Sequence, residues 1–452
     1  MNWLLIVLLL IGAYALVAYT IKKRGLWQDR ITFYGPVMAV KTRKVAFFDR
    51  FIPYSTLMKV YGTAGVAVVV LVATLGTVML FFALQFTFLT RPEPTGIYAP
   101  QNILLLPGVN EFVPSTFAVW FAFVLTIAVH EFGHGILCRV EQIRVRAMGV
   151  LLAVIPIGFF VEPDEEELEK APAGPKCRIF GAGITNNLLV GCLCGGLLLF
   201  VMAQAVPVTD PVIHGVYQGF PADDAGVPQN SFVRTVNGQE VHSVGEVATI
   251  LNGTRPGDHL VLEVEKDSVL ASYELTLSAW PRNVSSSPSG FMGVSYYPGT
   301  EVLRTVRQLA QPIGFLYLVT IPFESGYQVH ELRGDAPGGT AAPPAPLYVG
   351  GYLRLLAFES PEQTFYQVPF AGFWELVHLL FWCAWINVNV GIFNALPMVP
   401  LDGGYILKEG VQAVLRRKGL GEHAERVVVL FSAVILTVMV MLISLPYLFH
   451  LI

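Results

Sequence analysis

The chain has 452 residues, of which 54% are hydrophobic and only 14% are charged. Soluble proteins carry about 25% charged residues, so this composition excludes an ordinary soluble protein and indicates an integral membrane protein. The formal net charge of −4 gives no sign of the strongly basic surface that binds nucleic acid.

Six segments are long and apolar enough to cross a bilayer as helices, which takes roughly 20 residues. We interpret the first of them as a retained helix, because no basic residues precede it and no small-residue cleavage site stands before Lys22. The six predicted spans are about 2–21, 62–88, 115–137, 178–205, 372–396 and 425–448. The first four belong to an N-terminal membrane part, 1–205, and the last two to a C-terminal membrane part, 372–452.

Basic residues predict the orientation of these spans, because cytoplasmic connections carry an excess of Lys and Arg. Of the 29 Lys and Arg residues, 20 lie in three alternate connections or at the helix ends directly beside them. The three connections are 22–61, 138–177 and 397–424. These connections are therefore predicted to be cytoplasmic. Both termini and the long region between the fourth and fifth spans are then outside.

The first part of that outer region, 207–282, has the composition of a soluble domain. Hydrophobic residues alternate at period two in 231–241 and 259–266, which is typical of half-buried strands. Turn signals such as Asn237-Gly238 separate the strands. The pattern predicts a small, independently packed domain inserted between membrane helices.

Three segments of this domain follow one another as in a PDZ domain of the protease-associated type. They are GFPADDAG at 219–226, VNGQEV at 236–241 and the helix-like SVGEVATILNG at 243–253. The pattern resembles a PDZ domain, which implies a small α/β fold and a peptide ligand for it.

The remaining outer region, 283–371, is predicted to be a linker. Its stretch 334–346 is too rich in Gly, Ala and Pro to pack. A short apolar segment at about 308–323 contains Pro312 and Pro322. These prolines indicate a re-entrant or interfacial segment in place of a full span.

The third predicted span ends in the sequence His-Glu-Phe-Gly-His, from His130 to His134. Two histidines four residues apart share one face of a helix, so both imidazoles can reach one metal ion. Glu131 lies beside them, where it suits a general base acting on water. The alternative is a pair of structural histidines at a helix end. Because ionisable residues at membrane depth are costly, a functional site is the better interpretation.

A catalytic zinc ion needs a third protein ligand, and Asp402 is the best candidate. The predicted spans 115–137 and 372–396 both run inward, so they deliver His134 and Asp402 to the same depth near the cytoplasmic side. The alternative role for Asp402 is the N-cap of the following helix.

Asparagines in apolar helices need partners for their amides. Asn186 and Asn187 lie within one predicted span, and Asn394 lies near the end of another. One interpretation is hydrogen bonding between helices. The other is donation to the oxyanion of a tetrahedral intermediate. The sequence leaves both open.

Together these motifs resemble the site-2 protease family of intramembrane zinc metalloproteases. The matching elements are His-Glu-x-x-His, Gly-x-x-x-Asn at 183–187, and Asn-x-x-Pro-x-x-Pro-Leu-Asp-Gly-Gly at 394–404. The resemblance implies roles for six residues: ligation of one zinc ion by His130, His134 and Asp402, general base catalysis by Glu131, and positioning of the substrate backbone or stabilisation of the oxyanion by Asn187 and Asn394.

The family resemblance also implies a membrane re-entrant β-hairpin at about 147–165, beside the active site. Its edge strand would pair with an unwound substrate by strand addition. The overall prediction is a polytopic α-helical membrane protein with about six transmembrane helices, this hairpin and an inserted PDZ-like domain. The implied function is cleavage of single-span membrane proteins near the cytoplasmic side of the bilayer, in regulated intramembrane proteolysis.

Two other functions explain polar residues within membrane helices. A metal-dependent transporter would carry intramembrane ligands, and an inactive scaffold would hold partners through its PDZ-like domain. Neither function needs Glu131 beside the first ligand. The intact set of three ligands and a base therefore favours the protease.

Overall fold

The computed structural model describes residues 3–103, 105–281, 285–309 and 355–451. It divides into two compact units, 1–194 with 382–452, and 195–381. The helices are α1 (Trp3–Arg24), α2 (Ser55–Thr90), α3 (Phe117–Val140), α4 (Glu165–Lys170), α5 (Ala173–Met202), α6 (Pro221–Asp224), α7 (Val244–Asn252), α8 (Gly299–Leu309), α9 (Phe373–Ala395), α10 (Asp402–Arg417) and α11 (Ala424–Leu451).

Within the described residues, five helical segments are long and apolar enough to cross a membrane. They are Phe48–Thr90, Phe117–Val140, Ala173–Met202, Phe373–Ala395 and Gly421–Leu451. They confirm the last five predicted spans as helices. The first predicted span is also helical, as α1, and its membrane crossing stays a prediction.

Helix α2 begins at Ser55, seven residues before the predicted start of its span. The extra turns carry Lys59, whose Nζ lies 3.8 Å from a carboxylate oxygen of Glu141. A span that is predicted from a run of apolar residues ends where such a polar residue begins. The helix continues through them because its backbone hydrogen bonds do not depend on side-chain polarity.

A four-stranded antiparallel sheet follows the order of the chain, with strands β1 (Ile31–Tyr34), β2 (Val37–Thr42), β3 (Val145–Ala153) and β4 (Ile155–Pro163). Strands β3 and β4 form the hairpin that was predicted at 147–165. The hairpin therefore does not stand alone, because β1 and β2 extend its β3 side. Strand β4 is left at the edge of the sheet.

Charged residues fix the chain where the hairpin passes into α4. The carboxylate of Asp164 accepts hydrogen bonds from Arg144 Nη2 at 2.7 Å and Arg146 Nε at 3.0 Å, and from the backbone of Glu167. The guanidinium groups of Arg144 and Arg146 hold the pKa of Asp164 well below its usual range. The stabilising effect of this carboxylate is therefore complete above its ordinary pKa near 4 and is lost only as the pH falls through the lowered value.

An apolar cluster packs the end of α3 against the base of the hairpin and the start of α5. Its fully buried members include Phe48, Leu137 and Ala182. Burial of this kind contributes roughly 25 cal/mol per Å² of apolar surface. The cluster therefore holds the C-terminal end of α3, where the histidines lie, in a fixed position relative to β4 and α5.

The second unit contains a sheet with the strands β6 (Val212–Val216), β7 (Ser231–Val236), β8 (Gln239–Glu240), β9 (His259–Lys266), β10 (Val269–Thr276) and β11 (Val294–Tyr296). The strand order is β10-β9-β7-β6-β11, with β8 paired to β7. The sheet continues beyond the predicted domain end at 282, because β11 pairs with β6. A short separate pair joins β5 (Val206–Pro207) to β12 (Tyr366–Gln367).

The core of this sheet lies between its strands and α7, which begins at the N-cap Ser243 and buries Val247. The alternating residues predicted at 231–241 and 259–266 supply that core. Residues 310–354 lie outside the described residues. They include the whole predicted tether at 334–346 and all of the predicted segment at 308–323 except its first two residues.

We expect Leu262→Ala to destabilise this unit by about 2–5 kcal/mol, because Leu262 is fully buried and truncation leaves a cavity. Hydrogen–deuterium exchange of β9 in the full chain, solubilised in detergent, measures the effect. Val261→Ala is the matched control, since Val261 is 40% exposed on the same strand. Equal loss of protection in both variants would contradict the assigned core.

Candidate active site

Helix α3 carries the two predicted histidine ligands. It begins after the N-cap Thr116, whose hydroxyl accepts a hydrogen bond from Val119. His130 and His134 lie one turn apart near its other end, with ring centroids 4.8 Å apart. The four-residue spacing thus places both imidazoles on one face, as the sequence predicts.

Asp402 reaches the same point from a different part of the chain. Helix α9 ends at Ala395, and Pro397 and Pro400 lie in the turn that separates it from α10. The N-cap of α10 is Leu401, and Asp402 is the first residue of the helix. The alternative role of Asp402 as the N-cap is therefore wrong.

The three side chains converge on one position. Asp402 Oδ2 lies 3.1 Å from His130 Nε2 and 3.3 Å from His134 Nε2. One ligand atom from each residue lies within 4.8 Å of the other two. All three side chains are at most 15% exposed. Two imidazoles and one carboxylate are the ligand types of catalytic zinc sites.

The hydrogen bonds of the site fit a cation at this position. His134 Nδ1 lies 2.8 Å from the carbonyl oxygen of Ile179, which can only accept, so Nδ1 carries the proton. The Nε2 lone pair of a neutral His134 then points towards the carboxylate of Asp402. Among the described residues, no donor with hydrogen-bond geometry serves the buried Oδ2 of Asp402. A metal ion between these lone pairs would satisfy all three side chains.

Glu131 is adjacent to this group and contacts the hairpin. Its Oε2 accepts a hydrogen bond of 3.0 Å from the backbone N–H of Val161 on β4. The predicted base therefore contacts the edge strand β4 from the same helix that carries both histidines. Sequence reasoning missed this contact, because every residue except proline has a backbone N–H and the residue type does not show where it points.

Gly183 on α5 provides the space for the ligand cluster, which is the group of His130, His134 and Asp402. A Cβ atom at this position would lie 2.6 Å from His134 Nε2 and 2.8 Å from His130 Nε2. Any larger residue would occupy the space between the imidazoles. The sequence signal was the Gly-x-x-x-Asn spacing, which puts Gly183 and Asn187 on one helix face.

Asn187 is fully buried, and its Nδ2 lies 3.2 Å from His130 Nδ1. Its Oδ1 has no hydrogen-bond partner among the described residues. Asn187 thus contacts a predicted metal ligand from the side that faces away from Asp402.

The other two asparagines make structural hydrogen bonds. Asn186 accepts one of 2.8 Å from Tyr61 on α2 and donates one of 2.9 Å to the carbonyl of Val129 on α3, which confirms the helix–helix interpretation for this residue. Asn394 donates to the carbonyl of Val390 in its own helix at 3.1 Å.

Comparisons with known proteins agree with this geometry. Residues 118–439 match the sequence model of peptidase family M50. A protein from Lactococcus lactis subsp. lactis that is named as a zinc metalloprotease is 27% identical over 288 residues, 62% of this chain and 60% of the relative. The regulator of sigma E protease from Salmonella typhi is 26% identical over 223 residues, 49% of this chain and 45% of the relative.

The chain thus spans about half of the length of these two relatives. Among solved structures, the PDZ domain of an SdrC-like protein from Listeria monocytogenes aligns with 21% of this chain and 94% of its own length. The identity is 15% and the TM-score is 0.19, a value too low to establish a shared fold.

We expect Gly183→Ala to weaken metal binding by at least tenfold, because the added methyl group occupies the space between the imidazoles. Zinc bound per chain, titrated against a competing chelator, measures the loss. Gly196→Ala on the same helix is the control, since nothing lies within 4 Å of its added Cβ. Unchanged zinc affinity in Gly183→Ala would place the metal elsewhere.

Proposed function

Because the chain belongs to peptidase family M50, we propose that this multi-pass membrane protein is an intramembrane zinc metalloprotease. Its substrates are single-span membrane proteins, which it cleaves within the bilayer in regulated intramembrane proteolysis. The observation that carries the proposal is the convergence of His130, His134 and Asp402 in a buried position beside Glu131.

In this proposal His130, His134 and Asp402 hold one zinc ion through Nε2, Nε2 and Oδ2. When bound, zinc supplies Lewis acidity that activates both water and the scissile carbonyl. Ile179 contributes its carbonyl oxygen, which fixes the tautomer of His134 through Nδ1. The imidazole of His134 is thereby oriented before a metal ion binds.

Glu131 is the general base. Its carboxylate takes a proton from the attacking water and then returns a proton to the amine that leaves as the peptide C–N bond breaks. It is next to His130 in sequence and on a neighbouring part of the helix surface, so it can act beside the metal without ligating it. A transporter or a scaffold has no use for a base in this position.

Asn187 orients His130 in the same way that Ile179 orients His134. The oxygen and nitrogen of an amide are assigned from their hydrogen bonds. Reversing the amide places the unpartnered Oδ1 against His130 Nδ1, where it accepts the ring proton and leaves Nε2 free for the metal. This role differs from the oxyanion donor that the sequence suggested.

Asn394 keeps the role implied by the family resemblance, positioning of the substrate backbone. Its side-chain amide is at present bonded within its own helix, so this role requires a rotation of the side chain. The carbonyl of Val390 would then lose the hydrogen bond from Asn394 and keep the one from the backbone of its helix.

The side of the membrane follows from the basic residues. The ends of α3 and α9 that carry the site lie next to the two basic connections at 138–177 and 397–424. We therefore place the active site near the cytoplasmic side, and both termini and the PDZ-like domain outside. A site near the boundary also gives water a short path to Glu131.

The remaining predictions complete the proposal. Helix α1 is the sixth membrane span, and the β3–β4 hairpin re-enters the membrane beside the site. Its edge strand β4 pairs with a substrate segment that has been unwound from its helix, because a helix hides its carbonyl groups in internal hydrogen bonds. The PDZ-like domain selects substrates or binds a peptide end.

We expect Glu131→Gln to retain zinc and to lose cleavage of a single-span test protein by about 10²–10⁴-fold, because Gln cannot accept the proton. Bound metal and cleavage are measured on the same preparation. Glu165→Gln, on exposed helix α4, is the control and keeps full activity. Cleavage that survives in Glu131→Gln, or an unmodified protein without zinc, would refute the proposed function.

Two variants test the role of Asn187. Asn187→Leu removes the acceptor for His130 Nδ1 and is expected to weaken zinc binding by about 10–100-fold. Asn187→Asp keeps an acceptor and is expected to retain zinc. If both variants bound zinc normally and lost only turnover, Asn187 would act on the oxyanion and not on His130.

A further inference from the structure

The free edge of β4 lies beside the proposed base. Strand β3 covers one side of β4, and no described strand pairs with the other side. Val161 lies opposite Met148 in the hairpin, and its N–H points away from β3 to the carboxylate of Glu131. Backbone groups alternate along a strand, so Phe159 presents its N–H and carbonyl to the same free edge.

The bond between Val161 and Glu131 occupies a position that strand addition needs. A strand that pairs with this edge takes the N–H groups of alternate residues, here Phe159 and Val161, as donors to its own carbonyls. One N–H group makes one well-aligned hydrogen bond. Glu131 and a substrate carbonyl therefore cannot both hold the N–H of Val161.

We propose that the backbone N–H of Val161 couples substrate engagement to the release of the base. In the resting protein it holds the Glu131 carboxylate against β4. A substrate strand that pairs at Val161 displaces the carboxylate, which turns to the water that it is to deprotonate. This inference rests on the proposed function and adds a condition to it: the base is free only when a substrate backbone is in place.

The same contact sets where the substrate is cut. The substrate residue that pairs with Val161 is the one that comes to lie next to Glu131, and hence next to His130 and His134. Phe159 lies two residues before Val161 on β4, so the substrate residue that pairs with it lies two positions away from the one beside Glu131. The register of strand pairing, and not a side-chain pocket alone, therefore selects the scissile bond.

The proposal is tested by the binding of a substrate that is not cleaved. The probe is a fluorescently labelled single-span test protein with Gly and Pro in its membrane helix, bound to full-length protein in detergent with a metal chelator present. Because the substrate must displace Glu131, Glu131→Ala is expected to bind the probe about tenfold more tightly than the unmodified protein. Equal or weaker binding by Glu131→Ala would overturn the proposal.

A double-mutant cycle shows whether Val161 carries the effect. Val161→Pro removes the N–H, and an edge strand tolerates proline where the N–H faces outward. Val161→Pro is expected to bind the probe more weakly, and adding Glu131→Ala to it is expected to change nothing further. A tenfold gain that persisted in the Val161→Pro background would contradict a shared donor.

Phe159→Pro is the matched control. It removes a pairing donor from the same edge and leaves the contact between Val161 and Glu131 intact. Its binding is expected to weaken, while Glu131→Ala still improves it about tenfold. Cleavage of the same probe by the zinc-loaded, unmodified protein is measured in parallel. No cleavage there would refute the protease, whereas the binding cycle decides only the coupling.

Discussion

The structure of the first unit depends on one requirement, that three polar side chains from two distant parts of the chain meet in a buried position. His134 and Asp402 are separated by more than 260 residues of sequence, yet their side-chain atoms lie 3.3 Å apart. The neighbouring backbone accommodates this meeting. Gly183 leaves space between the imidazoles, and Gly403 packs so closely that a Cβ would collide with the carbonyl oxygen of Ala395.

Membrane helices satisfy their own backbone hydrogen bonds, so backbone that lies outside helices and paired strands is informative. The turn between α9 and α10 is irregular where it delivers Asp402 to the ligand cluster. The free edge of β4 is a second such segment, and its Val161 N–H donates a hydrogen bond to Glu131. Both segments lie at the candidate site, where backbone polar groups outside regular structure can bond to other partners.

The asparagines illustrate how one residue type serves two purposes in an apolar environment. Asn186 is satisfied on both sides by hydrogen bonds to neighbouring helices, so it contributes to packing. Asn187, one residue later, faces His130, and its Oδ1 has no hydrogen-bond partner within the part of the chain that the structure describes. A 100° step along the helix separates these roles, and the residue type alone does not distinguish them.

The sequence by itself determined the five long apolar helices, the placement of His130 and His134 on one helix face and the choice of Asp402 as the residue that meets them. Those properties follow from local spacing, apolar length and the distribution of basic residues. Only the tertiary structure decided that Asn187 faces His130, that Gly183 makes room for the cluster and that Val161 holds Glu131. These contacts join separate helices and a strand edge, and two of them involve a backbone atom or a missing side chain. Such contacts depend on how the elements pack, which residue patterns do not record.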